Sequence, residues 1–565
     1  MKRLVTWLCV LFFASCFDRP TVEAYPLQPL YRLRFQTFHG CDTRKRINAY
    51  RSPSRLKCSD SDKNVGESVG AVDRSANAET LKRIGDLAIP ALGALALDPL
   101  LSLVDTIIVG QNDSLGLAAI GLNTFVFTFV FYIFNFLSTV SAPLIAEKRG
   151  AGKTAEANVL VNAALTIAGV LGFILFLALE LNGETILIAM GSASGTLPAA
   201  LSFLRLRAIA APAVLICSAG NGAFRGRLDT TTPFKIALCA NLGNLILDFI
   251  LVLQLGYGAN GAACATGIAE WGSAIAFVVL LKREMRDLSS ATSGLSIDKD
   301  GTFCQNPVSL EKEGDILPDI RRQLRDFFAA SGATFLRTVL LQCALTAAAA
   351  AAARADAYGA DPTALNIEAG ESYSYLPGAS SAAHQVASSI WLLLSFIVDA
   401  IAVAAQTLVA DARGTGNFRR ASNVSSISLG LGLTVGCGFL LALALLPENV
   451  LVATFTRDPS VADAVMPLVP ILAVSQPING FVFVADGVLQ GYRAFRYEAV
   501  AMLAAIIFTG AFVTVQNDAA SFSSSNFQLE DVWLSLLILQ LSRATAFAFW
   551  WFAPMGRAAA NFEVE

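Results

Sequence analysis

The chain has 565 residues, of which 55% are hydrophobic and only 15% charged, with a formal net charge of −3 and a mean hydropathy of +0.57. Soluble domains carry about 25% charged residues, so a string of soluble domains is excluded, and no basic stripe offers a footing for nucleic acid. Ten cysteines without a Cys-x-x-Cys pair, and only two histidines (His39 and His384), give no material for a metalloenzyme.

Met1 to Cys16 carries Lys2 and Arg3, a short apolar core over Leu4–Phe13 and a small-residue end, Ala14-Ser15-Cys16. That is the grammar of a secretory signal peptide. From 17 to about 57 the chain is rich in arginine and poor in acids, as organellar transit peptides are. A signal followed directly by a transit peptide, with Phe17 just past the cleavage site, resembles the bipartite presequence of algae with complex plastids. Residues 1–16 are therefore read as signal peptide and 17–78 as transit peptide and linker, which implies the chloroplast envelope. A polar tail behind a chance apolar start fits the same residues and leaves the plasma membrane or an endomembrane open.

A spanning helix needs about 20 mostly apolar residues. Six runs meet that need near 87–110, 118–146, 155–180, 197–222, 233–256 and 259–283. Six more lie near 324–353, 382–410, 421–446, 462–488, 495–516 and 531–555. The sequence predicts an all-α integral membrane protein of twelve transmembrane helices, six in a lobe over 85–283 and six in a lobe over 324–556. A cytosol-side linker over 284–323 joins them, and a tail covers 557–565. The run Thr185–Met190 is too brief to cross and is expected to form a turn or an interfacial piece. Loops after even-numbered spans hold Lys148, Arg149, Arg225, Lys282, Arg413 and Arg493, whereas first-half loops after odd-numbered spans hold no Lys or Arg. By the positive-inside rule both termini lie on the same, cytosol-like side. Arg205 and Arg207 are exceptions on the other face.

One stretch occurs twice. Ala118-Ala119, an apolar run, and Gly150-Ala-Gly152 return 264 positions later as Ala382-Ala383, another apolar run, and Gly414-Thr-Gly416. Pro212…Gly226 and Pro477…Gly491 form a second anchor with equal internal spacing. Two apolar halves related by repetition point to a transporter with two pseudo-symmetric lobes around a central cavity. The Gly-x-Gly turns follow no strand and precede no Walker lysine, so they end helices and do not cradle phosphate.

An aspartate at a helix centre in the bilayer costs about 2.5–3.5 kcal/mol on insertion scales, so each one asks for a reason. Asp98 and Asp105 in the first span share a helical face. Asn244 and Asp248 share one in the fifth. Asp399 and Asp486 lie in the eighth and tenth spans and Glu270 in the sixth. A carboxylate in low dielectric binds a proton or sodium ion, and exchange of that cation gives antiport with no covalent step. Bland readings stand beside these: a kink at Asp98-Pro99, a hydrogen-bond anchor at Asp399, a packing bend at Asp486-Gly487, and a polar helix end for Glu270. The seventh span carries Arg337 and no carboxylate.

The segments Leu103-Val-Asp-Thr-Ile-Ile-Val-Gly110, Leu144-Ile-Ala-Glu147, Phe224-Arg-Gly-Arg-Leu-Asp-Thr-Thr-Thr-Pro233 and Phe483-Val-Ala-Asp-Gly487 resemble the multidrug and toxic compound extrusion (MATE) family. Within it they are most similar to the DinF-like branch with plastid members. The resemblance implies the MATE fold of the MOP superfamily and alternating-access efflux, with no enzymatic step and no cofactor beyond H+ or Na+ as coupling ion. It implies a cation site of Asp105, Asn244, Asp248 and Thr266, with Asp98, Asp399 and Asp486 as secondary candidates. The implied partners are the lipid bilayer and a small organic substrate, either an organic cation or a phenolic or organic acid, and one chain suffices as a monomer. A lipid-linked precursor flippase of the same superfamily is the alternative; it predicts extra helices around a lipid groove and clustered basic residues.

Overall fold

A computed structural model of the chain describes residues 77–97, 99, 114–189, 195–293, 316–359, 379–456, 458–523 and 528–552. The expected signal and transit peptides, Asp98, Asp105 and the tail over 557–565 lie outside the described residues. The first half comprises α1 (77–97), α2 (Ser114–Ile133), α3 (Phe136–Gly150), α4 (Thr154–Ala189), α5 (Leu197–Ala208), α6 (Ala211–Gly226), α7 (Thr231–Asp248) and α8 (Gly258–Ser293). The second comprises α9 (Ile316–Gly359), α10 (Ala379–Gly414), α11 (Phe418–Leu445), α12 (Glu448–Phe455), α13 (Pro459–Val465), α14 (Val469–Gly491), α15 (Phe495–Ser523) and α16 (Leu529–Phe552). Among the described residues every regular element is helical.

Among the described residues ten stretches are long and apolar enough to cross a membrane, and α5 with α6, bent by 47°, makes an eleventh. The bend falls where Pro212, in the first turn of α6, has no backbone N–H to continue the preceding helix. The first span is described only to residue 97, and at 99. Thr185–Ala189 is not a separate piece: it continues α4, because no proline interrupts the run and Gly183 is accommodated against Leu201 and Leu204. The polar linker is helical at both ends, as the last turns of α8 and the first of α9. Asp458 caps α13, accepting from the Ser460 hydroxyl at 2.6 Å and the Ser460 backbone N–H at 2.9 Å. Those two bonds hold its carboxyl below the usual range.

The internal repeat is physical down to single atoms. Gly222 packs against the Ser138 backbone, and Gly487 packs against that of Ala402, the residues 265 and 264 positions further on. Gly226 against the Ala142 carbonyl is matched by Gly491 against that of Gln406. Gly152 and Gly416 both take a left-handed backbone, φ 74° and 71°. So do the non-glycine residues Leu228 and Arg493, at φ 60° and 61° in equivalent turns. Such close approach of backbones is how membrane helices gain dispersion contact without a hydrophobic driving force between them.

Each half lends its first helix to the other. Ile84, Leu87 and Ala91 of α1 are buried with Val398, Ile401 and Ala405 of α10. Phe327 and Ala330 of α9 are buried among first-half residues such as Leu144 and Phe224. The halves also meet at their basic ends, where Gly150 abuts the Asp411 carbonyl and Gly414 abuts that of Glu147. Glu147 faces Arg413 at 3.7 Å and Arg493 at 3.5 Å across this contact.

Candidate functional site

Asn244 and Asp248 lie one turn apart at the end of α7, with exposures of 1% and 0%. The Asn244 amide donates to Asp248 Oδ2 at 3.1 Å. Immediately after Asp248 the helix widens into a π turn over Phe249–Gln254, an irregularity frequent at functional sites. The carboxylate thus sits where an apolar helix departs from regular geometry. Thr266 on α8 donates to the Ala262 carbonyl of its own helix at 2.8 Å and makes no hydrogen bond to Asn244 or Asp248. Glu270 pairs with Arg207 at 3.1 Å, and Glu180 with Arg205 at 3.3 Å. The two arginines that broke the charge pattern of the loops are therefore locally compensated.

Between the halves lies a cavity of about 740 Å³. It reaches toward the face opposite the basic loops, since its wall includes His384 and Trp533, close to the starts of α10 and α16. Trp391 and Phe483 give an edge-to-face pair on the wall, with centroids 5.7 Å apart. Positions related by the repeat line it in pairs: Asn135 with Asp399, Asn221 with Asp486, and Arg225 with Gln490. The second half thus carries carboxylates where the first carries amides.

Asp486 on α14 accepts from both Arg337 of α9 and Arg543 of α16. Arg337 also pairs with Glu498 of α15 at 2.7 Å, and Arg543 donates to Gln540 at 2.6 Å. Two cations and two carboxylates make a neutral cluster, which meets the cost of burying charge better than any isolated member would. From Glu498 a line of amides leads to the other half. Gln490 donates to Glu498 at 3.0 Å, and Gln406 donates to Gln490 at 3.0 Å and to the Thr139 carbonyl of α3 at 2.7 Å. Asp399 and Arg225 stand outside this cluster: among the described residues neither side chain has an ion-pair or hydrogen-bond partner.

The structure brings Asn244 to Asp248, and it gathers Asp399 and Asp486 around one cavity. Arg543, not named from the sequence, carries the signal that marked the acids, an ionisable group inside an apolar run, and so was legible. Glu498 was not, since it follows the basic turn Arg493–Arg496 in the first turn of its helix. Among the described residues no group of three or more His, Cys, Asp or Glu gathers as a metal set.

The family model MatE matches residues 90–250 and 372–515. The chain is similar to Protein DETOXIFICATION 44, chloroplastic, of Arabidopsis thaliana, with 31% identity over 480 residues covering 82% of this chain and 81% of that one. It is also similar to DNA damage-inducible protein F of Escherichia coli (strain K12), 31% identical over 209 residues, 36% of this chain and 45% of that protein. Its fold matches a crystal structure of MATE in the bent conformation, with a TM-score of 0.68 at 18% identity, covering 86% of this chain and 96% of the other. The duplicated halves, the cavity between them and these matches have one conclusion: the chain belongs to the MATE family of multidrug and toxic compound efflux transporters, and is a multi-pass membrane protein and not an enzyme.

Proposed function

We propose that the protein is a secondary antiporter that couples entry of H+ (or Na+) to export of a small organic compound by alternating access. The observation that carries this reading is the Asn244–Asp248 pair, a carboxylate with no measurable exposure held by an amide one turn away in an apolar helix. An ionised group there is costly, so a bound cation changes its energy steeply. That change alters how α7 packs on α8, and with it the balance between the two cavity orientations. Asp105 and Thr266 complete the proposed site, and Asp98, Asp399 and Asp486 remain secondary candidates. The inter-lobe contact of Glu147 with Arg413 and Arg493 is the barrier to be opened on the basic side. We place the protein in a plastid envelope, a reading supported by the relative named chloroplastic, and expect one chain to work as a monomer.

Counter-transport in liposomes tests the coupling, with wild type compared to Asp248→Asn under an imposed pH gradient and then a sodium gradient. The expected result is loss of gradient-driven flux in the variant with substrate binding retained. Equal flux in both proteins under both gradients moves the coupling site elsewhere and sinks this mechanism.

A further inference from the structure

We infer that the cavity is built for an aromatic zwitterion, with its anionic group on Arg225 and its cationic group on Asp399. This deepens the efflux reading above and rests on it. Six acidic and basic side chains belong to the cavity and the cluster behind it: Arg225, Arg337, Arg543, Asp399, Asp486 and Glu498. Four of them neutralise one another, because Asp486 takes Arg337 and Arg543 while Glu498 takes Arg337 as well. What remains is one cation from α6 of the first half and one carboxylate from α10 of the second.

Both remaining groups line the cavity, and among the described residues neither is paired. They stand on opposite halves and do not reach each other as an ion pair, although each lies in the field of the other. Both side chains are half-buried, and a half-buried charge without a partner loses hydration it does not regain, so a solute that presents opposite charges to both removes two penalties at once. A solute with one charge removes only one. The same wall offers Trp391, Phe483 and Trp533, on the side away from the basic loops, for an aromatic body attached to the charged groups. The two halves differ at these positions: Asp399 stands where the first half has Asn135, and Arg225 where the second has Gln490.

The test uses the full chain in liposomes and three solutes built on one ring: tryptophan (zwitterion), indole-3-acetate (anion) and tryptamine (cation). KM is measured for each with wild type, Arg225→Gln, Arg225→Lys and Asp399→Asn. Wild type is expected to favour tryptophan over both single-charge indoles by about tenfold, the worth of one charge-assisted contact. Arg225→Gln is expected to raise KM for tryptophan and indole-3-acetate about tenfold relative to tryptamine. Asp399→Asn should do the mirror image, raising tryptophan and tryptamine relative to indole-3-acetate. Arg225→Lys keeps the positive charge and is expected to keep the preference for tryptophan and indole-3-acetate over tryptamine that Arg225→Gln loses, which assigns the selective rise to charge. Equal rises for all three indoles, or a wild type that prefers either single-charge indole, overturns the inference. Ethidium flux in the same vesicles separates the two levels of failure. If ethidium moves under a gradient and no indole competes, the zwitterion site is wrong and the transporter stands. If no solute moves under either gradient, the efflux reading falls with it.

Discussion

At the scale of single residues, charge placement decides which side chains are indispensable. Arg337, Asp486, Arg543 and Glu498 are mutually compensated, so removing one partner strands the others. Asp486→Ala leaves two guanidiniums in the interior with only Glu498 to balance them. It is expected to cost about 3–5 kcal/mol, read as a lowered unfolding midpoint in detergent. Arg205→Ala is the contrast, because the Arg205 side chain is 53% exposed where it meets Glu180. Its loss should shift stability by no more than about 1 kcal/mol. A large effect at Arg205 and none at Asp486 would reverse this ranking. The acids of the cluster announced themselves unevenly in the sequence. Asp486 stands alone in an apolar run, whereas Glu498 borders a basic turn and reads as a surface charge until α14 and α15 are packed together.

At the scale of elements, glycines divide by what lies beside them. Gly487 faces the Ala402 backbone so closely that a methyl group has no space, while Gly438 has open surroundings. Gly487→Ala should push α14 off α10 and cost about 1–3 kcal/mol. Gly438→Ala should be neutral, or stabilise α11 by about 0.5–1 kcal/mol through lost unfolded-state freedom. Thermal unfolding of both variants checks the pair, and a shared outcome would mean that proximity does not govern them. Helix positions were legible from hydropathy because a run of apolar residues leaves a bilayer segment little choice but a helix. Helix ends were less so: Thr185–Ala189 looked separate by length, yet it continues α4 because nothing in the backbone stops it.

At the scale of the whole molecule, the halves meet at their basic ends, the contact proposed above as the barrier on one side of the cavity. Gly150 and Gly414 are its contact points, each set against a backbone carbonyl of the other half. Leucine at both positions should hold the halves apart at that end. We expect gradient-driven turnover to fall at least about tenfold, with cavity thiols such as Cys217 becoming reactive from the basic face. Unchanged turnover and unchanged reactivity would show that the contact is not a gate.

The sequence by itself determined the class, the spans and the duplication, because each depends on local composition or on spacing along the chain. It also singled out Asn244 and Asp248, since a shared helical face follows from a separation of four. Only the tertiary structure decided which charges cancel. Arg337 sits on α9 and Asp486, Glu498 and Arg543 on α14, α15 and α16, and ion pairing depends on distance in space, which spacing in sequence does not encode. The same holds for Arg225 and Asp399: along the chain one reads as a cation of a basic loop and the other as a lone acid of the eighth span, and they come to line one cavity only when the halves are brought face to face.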